Sequence, residues 1–103
     1  MTDDAAQLQA LRSLRERIAA LSQTLSEREL TGRLLRLEIE AELRTAGKTK
    51  TEAETLAKAA PRYLEHARLT IQREYDRDVA LAEAESLRLQ LELTIAERLN
   101  EVI

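Results

Sequence analysis

Leucine and isoleucine recur every three or four residues along most of this chain. Leu11, Leu14, Ile18, Leu21 and Leu25 follow one another at intervals of 3, 4, 3 and 4, which gathers them on one face of a helix as a coiled-coil seam. The same register then lands on Arg28 and Gly32 before returning to Leu35, Ile39 and Ala46. Two readings of that interruption compete. Thr31-Gly32 is a point where a partner backbone or bulky side chain presses in, or Ser26-Glu27-Arg28-Glu29 is a capping box that starts a new helix. A glycine inside a helix costs about 1 kcal/mol against alanine, so a packing reason is expected and one continuous helix is the reading adopted.

From Leu30 the apolar face widens. Leu30, Leu34, Leu37 and Ala41 form a second stripe beside Leu35, Ile39 and Leu43, the pattern of a helix with more than one neighbour. In the last third of the chain the seam is read as Leu64, Ala67, Ile71, Tyr75, Val79, Ala82, Ser86, Leu89, Leu93 and Ala96. Its spacing loosens to three successive fours around Tyr75, a stutter that locally unwinds a supercoil. Leu87, Leu91, Ile95, Leu99 and Val102 add a second stripe. The runs Leu35 to Leu43 and Leu87 to Ile95 also alternate with period two, but their Arg and Glu partners and few β-branched residues favour helix over strand.

Breakers place the boundaries. Thr2 is an expected N-cap, with Asp3 and Asp4 in the first turn where negative charge suits the helix dipole. Arg44 and Gly47 signal a helix end near Ala46, with Gly47 in the left-handed C′ position. Thr49 or Thr51 caps a short helix, each with a glutamate three residues on. Ala60, preceding proline, closes it, and Pro61 opens the next. The expectation is an all-α, coiled-coil-like hairpin forming a single domain over 1–103. Long antiparallel helices span about 3–46 and 61–102, with a short helix at about 50–59 on the tip.

Each long helix would reach about 65 Å at 1.5 Å per residue. One hairpin shares a single seam and leaves its second stripes in water, which is unusual on a monomer. The expected solution is a homodimer forming a four-helix bundle, with Leu30, Leu34, Leu37, Leu87, Leu91, Ile95 and Leu99 at the contact between chains.

Composition narrows the function. Of the 44% apolar residues most are the 19 Leu and 16 Ala, with no Phe or Trp and two Tyr, while 34% are charged. This balance marks long helices, and it lacks the aromatics and glycine loops from which substrate pockets are built. Absence of cysteine removes disulfides and thiol chemistry. The N-terminus is acidic rather than signal-like, and the longest uncharged run, Ile18 to Ser26, is too short for a bilayer. A cytoplasmic protein without membrane contact is expected.

Candidate chemistry is sparse. Gly47-Lys48-Thr49 resembles the end of a P-loop, but Glu42 stands where that motif needs glycine and no strand precedes it. The only histidine, His66, has Tyr63 rather than Glu three residues before it, unlike di-iron bundles. Glu38 with Glu42, and Glu97 with Glu101, share faces at i,i+4 as solvated carboxylate pairs. Neither a catalytic residue, a cofactor nor a metal site is expected. The net charge is −3, yet from Arg44 to Arg68 six bases meet three acids. Lys48, Lys50, Lys58 and Arg62 fall at the tip beside helix N-termini and are the candidate phosphate contacts, with Tyr63 able to stack on a base.

Thr51-Glu52-Ala53-Glu54, Ala57-Lys58, Pro61 and Tyr63, followed by a long Arg/Glu/Leu helix, resemble a pattern in small helical proteins of tailed bacteriophages. The resemblance covers roughly 45–103 and implies a viral accessory protein in the host cytoplasm, without catalytic residues. The expected function is a non-enzymatic, self-associating scaffold or adaptor, dimeric and open to a second protein. The alternative is a nucleic-acid-binding accessory protein of replication or recombination, which touches phosphate through the basic tip.

Overall fold

The computed structural model describes residues 3–102. Thr2, the expected N-cap, and the side chains of Asp3 and Val102 lie outside the described residues. Three helices follow in order, α1 Asp3–Thr45, α2 Lys50–Lys58 and α3 Pro61–Val102, and no strand occurs among the described residues. The alternating runs that could be read as strands are helical throughout. Contacts gather into two units, one of 1–22 with 75–103 and one of 23–74.

Breakers act where the sequence places them. Gly47 has φ +97, and Gly47 N–H donates to the Arg44 carbonyl at 3.0 Å while Lys48 N–H donates to the Leu43 carbonyl at 3.0 Å. This crossed pair satisfies the last carbonyls of α1 and needs a residue free to adopt positive φ. Thr49, not Thr51, caps α2: its hydroxyl accepts from Glu52 N–H at 3.2 Å and donates to the Glu52 carboxylate at 3.0 Å. Pro61 is the first residue of α3, where a missing amide donor costs nothing.

In the 23–74 unit the inward face of α1 is Leu25, Arg28, Gly32, Leu35, Ile39 and Leu43. The heptad register therefore runs straight through the apparent interruption, and α1 is continuous, so Ser26 starts no new helix. Ala46, expected on this face, is exposed past the helix end. A Cβ placed on Gly32 would stand 3.1 Å from His66 Cε1 and 3.3 Å from Nδ1. Glycine here makes room for an imidazole. One turn earlier Arg28 donates from Nε to Thr70 Oγ1 and from Nη2 to the His66 carbonyl, both at 3.0 Å. Thr70 Oγ1 also donates to that carbonyl at 3.0 Å. The one charged position of the seam, Arg28, is thus tied to the facing helix rather than left bare. Ala53 and Ala57, one turn apart on α2, are buried with 1% and 0% of their surface exposed. Only side chains this small let α2 lie so close.

In the unit of 1–22 and 75–103, α1 contributes Leu11, Leu14, Ile18 and Leu21, all buried or half-buried. The covered face of α3 is Arg77, Ala80, Ala84, Leu87, Leu91 and Thr94, an unbroken 3,4 repeat. Asp4 pairs with Arg98, so the two segments run antiparallel. The seam expected for α3, with its stutter at Tyr75, is not the buried one. Ile71, Tyr75 and Leu93 are 64%, 63% and 63% exposed, and Leu64 and Leu89 also face solvent. The covered side of α3 mixes the small Ala80, Ala84 and Thr94 with Arg77, Leu87 and Leu91.

Two stability outcomes follow. Gly32→Ala, which by propensity alone would gain about 1 kcal/mol, is expected to be close to neutral because the new methyl meets His66. In a His66→Ala background the same change recovers the full gain, and denaturant midpoints of the four proteins measure the difference. Ala57→Leu overfills the α2 contact and is expected to cost about 1–3 kcal/mol by the same measurement.

Candidate helix-docking faces

The residues that could have carried chemistry have local structural duties. Gly47 and Thr49 end one helix and cap the next. Glu42 receives Arg62 Nη2 at 2.5 Å, so Arg62, counted among the phosphate contacts, is held by an acid of its own unit. Lys48 and Lys50 lie at the N-terminal end of α2 and Lys58 in its last turn, all exposed. Nine helical residues separate these ends by about 13 Å, so the lysines do not converge on one point. Glu38, Glu97 and Glu101 are exposed. Among the described residues no three His, Cys, Asp or Glu side chains gather as metal ligands.

His66 is half-buried, and its Nε2 is enclosed without a hydrogen-bond partner. Burial, and then the nearby Arg28 charge, push its pKa below the ordinary 6.5. The ring is therefore a neutral packing element against Gly32, a role that the i,i+3 search for metal motifs had no means of finding.

What remains is the outward side of each long helix. On α3, Tyr75, Val79, Ala82, Ser86, Leu89, Leu93 and Ala96 repeat at 4, 3, 4, 3, 4 and 3, and all are exposed. This is a second coiled-coil seam on the side turned away from the covered face. Its two edges carry Asp76, Glu83 and Glu97 on one side and Asp78, Glu85 and Glu92 on the other, with no base in the flanking positions. Arg88 reaches Glu85 and Glu92 from beside that second edge. Its hydrogen bond holds the Glu85 carboxyl below its ordinary pKa. On α1, in the other unit, Leu30, Leu34 and Leu37 are 57%, 58% and 55% exposed, followed by exposed Ala41.

Of the residues expected between chains, Leu30, Leu34, Leu37, Ile95 and Leu99 are exposed. Leu91 is 7% exposed and Leu87 half-buried, both within the core of their own unit. A spacing of four throughout makes the stripe Leu87, Leu91, Ile95, Leu99 drift around α3, leaving the covered face after Leu91.

Comparison with known proteins gives no match: no family model fits the chain, and no curated sequence or solved structure is significantly similar to it. No helix of the described residues is long and apolar enough to cross a membrane.

The neutral state of His66 sets a pH dependence. Its pKa is lower folded than unfolded, so below about 6.5 the unfolded chain binds the extra proton and folding weakens. Stability should be level above that pH and fall on acidification toward 5. His66→Gln should remove that component of the slope, as read from urea midpoints at a series of pH values.

Proposed function

We propose that this chain is a non-enzymatic helical assembly module, a self-associating scaffold that also serves as an adaptor for a helix of another protein. One observation carries the reading: each long helix places large apolar side chains, in heptad spacing, on the side away from its own covered face. Burial of such a stripe contributes about 25 cal/mol per Å² of apolar surface removed from water. A water-facing repeat of this regularity is the surface that another helix covers. Dimerisation into a four-helix bundle is the arrangement this reading favours. The acidic edges of the outer α3 seam select a partner helix that brings Arg or Lys to its own flanking positions.

Light scattering coupled to size exclusion tests the reading on the full chain. The particle is expected to exceed the 11.7 kDa of one chain and to grow in mass with concentration. Replacing Leu30, Leu34, Leu89 and Leu93 together by Gln should return it to a single chain with its helicity kept. A wild-type protein that stays at one chain's mass at every concentration defeats the scaffold.

A further inference from the structure

We infer that the second copy docks on the outward face of α1, antiparallel and about a two-fold axis, and not on the outward face of α3. The inference rests on the scaffold reading above and names the contact it uses.

The exposed face of α1 reads Glu27, Leu30, Leu34, Leu37, Ala41 and Arg44, with spacings 3, 4, 3, 4 and 3. Laid antiparallel against itself, this series is self-complementary. Leu34 of one chain meets Leu37 of the other, Leu30 meets Ala41, and Glu27 meets Arg44, each layer occurring twice by symmetry. At the edge, Arg33 comes opposite Glu40 of the copy, an opposite-sign pair. Arg44 forms no ion pair among the described residues, and the Glu27 carboxylate accepts a 3.3 Å bond from the Gln23 amide, with no base on it.

Orientation and register are both fixed by charge. A parallel pair would stack Glu27 on Glu27 and Arg44 on Arg44. A shift of one heptad in either direction would set Glu27 against Leu37 or Arg44 against Leu34. The outer seam of α3 offers no such solution: its edge positions hold acids and no base, and Asp78, Glu85 and Glu92 are already paired with Arg77 and Arg88 of their own helix, so a second α3 brings no complementary charge. The α1 contact spans about 26 Å and four apolar layers, so the dimer is of the small, concentration-dependent kind.

Charge reversal at these exposed positions tests the contact without touching the core. Glu27→Arg and Arg44→Glu should each weaken self-association about tenfold by analytical ultracentrifugation. The double variant should regain it, and an equimolar mixture of the two single variants should form a mixed dimer. Disulfide trapping gives an independent reading. Leu34→Cys combined with Leu37→Cys should cross-link between chains, while Leu89→Cys should not. A protein that self-associates normally in both reversal variants, or cross-links through Leu89→Cys, overturns this contact and leaves the scaffold reading standing. A wild-type chain monomeric at millimolar concentration overturns both.

Discussion

Each long helix keeps one stripe covered by the chain's own helices, and on α3 that stripe is not the most apolar one. In the unit of 1–22 and 75–103 the covered positions are Leu11, Leu14, Ile18 and Leu21 on α1, and Arg77, Ala80, Ala84, Leu87, Leu91 and Thr94 on α3. In the 23–74 unit Gly32 recedes and His66 advances. A core of alternating large and small residues interdigitates, whereas leucine on both sides would hold the helices apart. The greasiest side of α3 is left outside.

That exposed side is the source of the functional reading. Within a unit, one stripe of each helix is covered by the chain's own helices, and the stripe opposite is left for another molecule. The two outer stripes are not equivalent. The one on α1 ends in opposite charges, Glu27 and Arg44, and is therefore its own complement. The one on α3 is bordered by carboxylates on both edges and offers its like no complementary charge. Under the proposed function, the first stripe would take a copy of the chain and the second a basic helix.

The tip is built from residues that turn, cap and pack. Gly47 turns the chain out of α1, Thr49 starts α2, the two buried alanines seat α2 closely, and Pro61 opens α3 at a fixed angle. A single residue added between these points would rotate the start of α3 by about 100° and present a different stripe to α1 within the 23–74 unit.

Helix count, helix ends and the inward register of α1 were all legible in the residues themselves, because caps, breakers and a 3,4 repeat are local chemistry. Thr49, Gly47 and Pro61 act through their own backbone geometry, and Leu11 to Leu25 offer only one strongly apolar side. The inward side of α3 was not legible. Two apolar stripes compete on that helix, and hydrophobicity favours the one the structure leaves in water. Burial is settled by fit to a facing surface, and that surface belongs to residues forty or more positions away, as Arg28 with Thr70 shows. The sequence by itself determined that there would be three helices and more apolar faces than one pairing uses. Only the tertiary structure decided which face α3 keeps for itself, since the fit between distant residues has no signature in either one alone.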